Sequence, residues 1–181
     1  MSARLVHHST LLLSSCLSVA LLYFTIPLDY AIVKLSISTG ATSLLLLAAT
    51  LLIGPVNVIR GRPPIVSSYL RRDTAIWAGI LAILHTIVGL QVHFNGEILH
   101  YFFNIPASNI VSSIRFDWFG LTNYLGLFST LIIGYLLWLS NDASIKRYGA
   151  RQWKNRQRIA YVMTLFIVIH TLIYQLSLIH I

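Results

Sequence analysis

Five apolar stretches, each about twenty residues long, are separated by connections that collect nearly all of the charge. They run over about 9–27, 36–59, 74–92, 118–139 and 159–179. As a helix, each is long enough to cross a hydrocarbon layer of about 30 Å. Helix is the natural form for such a crossing, because it pairs its own backbone N–H and C=O groups where no water can. The short alternating segments of a membrane β-barrel are not visible. Composition closes the other routes. Only 10% of the 181 residues are charged and 56% are hydrophobic, whereas a soluble domain carries about 25% charged residues. Neither a water-facing globule nor a disordered chain can be built this way. The expected fold is therefore all-α. It is one domain over 1–181, a polytopic membrane bundle of five transmembrane helices.

The placement of the cations sets an expected orientation. The formal charge is +8, from 13 Lys+Arg against 5 Asp+Glu. Arg4, the connection 60–73 (Arg60, Arg62, Arg71, Arg72) and the connection 140–158 (Lys146, Arg147, Arg151, Lys154, Arg156, Arg158) fall on one side of the alternation. Only Lys34 and Arg115 fall on the other. Cytoplasmic loops collect Lys and Arg, so the N-terminus is expected inside and the C-terminus outside a cell's inner (plasma) membrane. The basic balance thus points to topology and to anionic membrane lipid, not to nucleic acid. Cys16 is alone and can form no intrachain disulfide. Leu13-Ser14-Ser15-Cys16 superficially resembles a lipoprotein cleavage site, but the apolar run continues past it to Tyr23 and Phe24, as a plain first helix would.

Of seven histidines, His85 and His170 fall inside the apolar stretches. An ionisable residue at such a depth is costly and marks a candidate site. His85 lies 13 residues after Arg72 and His170 lies 12 after Arg158. Both are therefore roughly 18–20 Å along their helices from the Arg-rich edge. Two imidazoles at one depth on two parallel helices can occupy opposite axial positions of one haem iron. They can equally form a hydrogen-bonded polar pair. A zinc or copper site would need further ligands at that depth. Ala78, Ala82, His85 and Gly89 share a helix face, and Gly126, Thr130 and Gly134 make a similar stripe. Small residues leave room for a flat macrocycle, or simply let helices approach closely. His93, His100 and His180 fall near or beyond the outer ends, and His7 and His8 at the inner end of the first helix.

Two segments, RRDTAIWAGILAILH (Arg71 to His85) and GARQWKNRQRIAYVMTLFIVIH (Gly149 to His170), resemble the ferric reductase-like transmembrane domain superfamily. That superfamily includes the haem subunit of the bacterial methionine sulfoxide reductase system and the membrane part of NADPH oxidases and iron reductases. The matching features are Arg-Arg before the third helix, a His late in it, the Trp-Lys-x-x-x-Arg entry to the fifth, and its late His. The resemblance implies haem b, with His85 and His170 as the outer ligand pair. The family's inner ligand positions fall at Gln157 and at or near Arg71. One haem is therefore expected, or two if the inner one is held differently. Large members continue into a flavin and nicotinamide domain. No GxGxxG element occurs here, so the reductant is expected to be another molecule, a quinol or a separate reductase. Arg115, one of two outer cations, is a candidate partner for a haem propionate.

The functional expectation is an integral membrane b-type cytochrome, an electron-transfer component passing electrons to an acceptor on the outer face. Two other readings remain open: a haem-free structural or assembly subunit, and a small transporter. The spans hold no carboxylate to drive proton coupling. Orientation has a direct test. A reporter fused within 140–158 should be active on the cytoplasmic side and one fused at Asn104 on the other; the reverse pattern would overturn the charge argument.

Overall fold

The computed structural model describes residues 3–61, 69–105 and 113–179. Six α-helices account for most of them: α1 (Ala3–Thr25), α2 (Ala31–Ile59), α3 (Tyr69–Gly89), α4 (Trp118–Leu139), α5 (Asp142–Gln157) and α6 (Ile159–Ile179). The expectation of an all-α membrane-type bundle holds. Four stretches are long and apolar enough to cross a membrane: Arg4–Thr25, Ala31–Ile59, Trp118–Leu139 and Asp142–Leu176, the last running through α5 into α6. The third expected span corresponds to α3. Its 21 residues reach about 30 Å, but Arg71, Arg72 and Asp73 at its start and His85 near its end leave it less apolar than the others.

Large apolar side chains point outward and small polar ones inward, the reverse of a soluble core. Leu13, Leu17 and Leu21, spaced four apart on one face of α1, are 70%, 71% and 63% exposed. Ser36, Ser38, Thr39, Thr42, Ser43 and Thr50 are buried on α2. Their hydroxyls do not compete for water. Ser38, Thr39 and Thr50 donate to carbonyls four residues back in their own helix, at 2.6–2.8 Å. Ser43 reaches across to the Ala78 carbonyl of α3 at 2.8 Å, and Thr42 meets Ser18 of α1 at 3.1 Å. Small residues let helices approach until such bonds form, and lipid takes the leucines.

Helices α2 and α3 share the most extensive contact, followed by α4 with α6. Thr86 of α3 and Thr130 of α4 join the two pairs at 2.9 Å. Gly79 belongs to the same α3–α4 contact: a Cβ there would stand 2.9 Å from the Leu137 side chain.

Both long connections hold regular structure among their described residues. The segment 140–158 was expected as a loop. From Asp142 it is helix, broken at Gly149, where φ is +71°. A left-handed residue is inexpensive only for Gly, so this position ends one short helix and starts the next. Asn141 caps α5 by accepting the Ser144 N–H at 2.7 Å. Trp153 is buried and donates its indole N–H to the Leu139 carbonyl at 2.9 Å, satisfying a free carbonyl at the end of α4. The other long connection, 93–117, holds two 3-10 turns (Phe94–Gly96 and Ile98–Tyr101) and a two-residue antiparallel ladder. In the ladder β1 (Phe103–Asn104) faces β2 (Ser113–Ile114), with Phe103 opposite Ile114. Expected span edges move accordingly: α1 starts at Ala3, α2 at Ala31, and α3 runs Tyr69–Gly89 instead of ending near 92.

Trp153→Ala should loosen α5 from α4. Removing a buried indole and its hydrogen bond should cost about 3 kcal/mol in detergent unfolding. An unchanged unfolding midpoint would show that α5 is not held this way.

Candidate functional site

His85 on α3 and His170 on α6 are held in the same manner. The Nδ1 of His85 lies 2.8 Å from the Ser36 carbonyl of α2, with Ser36 Oγ at 3.4 Å. The Nδ1 of His170 lies 2.8 Å from the Thr122 carbonyl of α4. A carbonyl only accepts, so each Nδ1 carries the proton. That fixes the tautomer and leaves the Nε2 lone pair of each ring free for a ligand.

Each ring also lies against a glycine of the helix that supplies its carbonyl. A Cβ at Gly40 would stand 2.8 Å from His85 Nδ1, and a Cβ at Gly126 would stand 3.0 Å from His170 Cε1. These two positions are therefore glycine for reasons of space, not of backbone angle. Gly126 belongs to the small-residue stripe visible in the sequence. Gly40 and the two carbonyls were missed, because nothing in the sequence gives the register between α2 and α3. Tyr174 stacks beside His170 with ring centroids 5.0 Å apart, and its hydroxyl donates to Asn123 Oδ1 at 2.9 Å.

The remaining histidines have other surroundings. His93 packs among Phe94, Tyr101 and Phe119, and burial lowers its pKa. Its backbone N–H donates to the Tyr101 hydroxyl at 2.8 Å. His100 Nε2 meets Glu97 at 2.8 Å. His180 lies outside the described residues. His7 Nδ1 and His8 Nε2 approach the fully buried Asp73 carboxylate at 3.8 and 3.5 Å, alongside Arg4 at 3.6 Å. Asp73, near the start of α3, is thus the centre of a packed polar cluster. Among the described residues no group of three or more His, Cys, Asp or Glu could hold a metal ion.

Arg115, expected near a propionate, is engaged within its own loop. Its Nε bonds Asp117 at 2.9 Å and its Nη1 bonds the His100 carbonyl at 2.7 Å. The guanidinium lies over the Phe94 and Phe119 rings. Asp117 in turn caps α4 through the Gly120 N–H at 2.7 Å. Burial raises its carboxyl pKa, but the Arg115 and Gly120 hydrogen bonds outweigh that and hold it below the usual carboxylate value.

Gln157 and Arg71, the expected inner ligand positions, both line a cavity of about 290 Å³ between the helices, at the Arg-rich end. Ala82 and Ile167, each one turn from a histidine, line it as well.

No protein-family model, curated protein or solved structure matches the chain.

The glycines provide a matched test of the site. Gly40→Ala must displace the His85 ring or separate α2 from α3, at a cost of about 1–3 kcal/mol in unfolding. Gly134→Ala, where no atom lies within 4 Å, should be neutral or slightly stabilising. Equal behaviour of the two variants would refute the contact.

Proposed function

We propose that this chain is a membrane b-type cytochrome of the ferric reductase-like kind, with His85 and His170 as the two axial ligands of one haem. The observation that carries this reading is the pair of imidazoles with matched restraints. Each Nδ1–H is spent on a main-chain carbonyl and each Nε2 is left available, on two helices of one bundle. Metal-bound histidines characteristically donate their other ring N–H to such an acceptor, which orients the ring and raises its basicity. A lone structural imidazole needs no such symmetry.

Gly40 and Gly126 let each ring lie against the helix that accepts its Nδ1–H, which helps fix its position. Two histidines without a third or fourth ligand suit an axially ligated macrocycle better than zinc. When bound, the haem would supply one-electron transfer, with His85 and His170 as the residues that would hold it. The chain's own part is to hold the imidazoles in one tautomer and to surround them with apolar helices.

In this reading the chain lies in a cell's inner membrane with its Arg-rich end inside, as its Lys/Arg placement favours. Electrons enter from a quinol or a separate reductase and leave to an acceptor on the opposite face. The resemblance of the Arg71 to His85 and Gly149 to His170 segments supports the same assignment.

Gently purified protein should show the reduced-minus-oxidised difference bands of a b-type haem, near one per chain. His85→Ala and His170→Ala should each abolish them, while His93→Ala and His100→Ala should retain them. Retention of the bands in both span variants would refute the ligand assignment. Absence of iron at any stoichiometry would instead favour a haem-free structural subunit, the reading that Gln157 and Arg71 at the inner positions motivate.

A further inference from the structure

The cavity at the Arg-rich end has a chemistry of its own. Its walls are apolar over much of their extent, with Leu47, Leu51, Ala78, Ile133 and Leu136 among them. One end is lined by four cations: Arg71, Arg72, Lys154 and Arg158. Arg72 is 7% exposed, and Asp142 meets only its Nη1, at 2.6 Å. Its Nε and Nη2 are buried with no hydrogen-bond partner, and so is the Nε2 of Gln157 beside it. A buried guanidinium with unmet donors is costly. Here the unmet groups belong to residues that line the hollow. No Asp or Glu lines the cavity to answer those donors.

We infer that this cavity binds the phosphate head of an anionic membrane lipid, with Arg72, Gln157 and Arg158 around the phosphate and an acyl chain along the apolar wall. The donors require an acceptor with several oxygens, and guanidinium matches phosphate geometry better than any neutral head does. The apolar wall distinguishes a lipid from free phosphate, which would leave that surface uncovered. A volume near 290 Å³ holds a head and the start of a chain, not a whole lipid. The rest of such a lipid would extend into the surrounding bilayer. The inference goes beyond the haem reading and needs none of it.

Native mass spectrometry of the full-length protein in detergent tests it. Phosphatidylglycerol should bind about tenfold more tightly than phosphatidylcholine of the same chains. Inorganic phosphate at millimolar concentration should not displace it; full displacement would overturn the lipid in favour of free phosphate. Arg158→Gln removes an exposed charge and should erase most of the preference. Ala75→Leu fills the cavity while keeping every charge, and lies ten residues from His85. It should weaken phosphatidylglycerol about tenfold, which general attraction of anionic lipid to a basic surface would not. Equal binding of the two lipids, or unchanged binding by Ala75→Leu, would overturn the site whatever the haem spectrum shows.

Discussion

The bundle depends on two hydrogen bonds from imidazoles packed between helices to main-chain carbonyls. His85 binds α3 to α2 through Ser36, and His170 binds α6 to α4 through Thr122. Away from water, little competes for either bond, and leaving a donor unmet would be costly. Each bond also demands a glycine, since the ring must lie flat against the helix that accepts it. These are the two most extensive helix pairings in the protein. The Thr86–Thr130 contact then joins one pair to the other. The site and the scaffold therefore rest on the same contacts.

Polar chemistry at the two ends does different work. At the Arg-rich end, Arg4, His7 and His8 of α1 converge on Asp73 of α3, while Arg72 reaches Asp142 of α5. The Arg72 guanidinium donates to Asp142 and holds its carboxyl below the usual carboxylate value. Stability from that pair is present at neutral pH and is lost as acid protonates the carboxylate. The cluster ties three helices together but leaves part of Arg72 unanswered, and Arg72 also lines the neighbouring cavity. At the opposite end, Arg115 closes a loop of aromatic rings with Asp117 and the His100 carbonyl. Burial raises the pKa of the Tyr101 hydroxyl at the centre of that loop, with its hydrogen bond to His93 opposing.

Much of this was legible beforehand. Apolar runs of the right length gave the helices, and the all-α fold follows because only helices satisfy so much backbone without water. The spacing of His85 and His170 from Arg72 and Arg158 supplies only an expectation of equal depth, since rise per residue is constant along a helix. The small-residue stripes marked faces of close approach, and Gly126 is found on one. The segment 140–158 was harder. Its composition is mostly polar, so periodicity gave no inward face, yet Trp153 and Asn141 fix it as a helix. The partners of Asp73 are not legible in the sequence for a related reason, because they come from α1, more than sixty residues earlier in the chain.

By itself, then, the sequence determined that the chain forms apolar helices, where its charges gather, and which two imidazoles sit deep. Those properties follow from local composition and constant helical rise. Only the tertiary structure decided which carbonyl each imidazole meets, which glycines make room, and that Arg71, Arg72, Gln157 and Arg158 surround one cavity. Those facts depend on the rotation and register of each helix against its neighbour. In an apolar environment many registers bury similar surface, and the few polar contacts select among them.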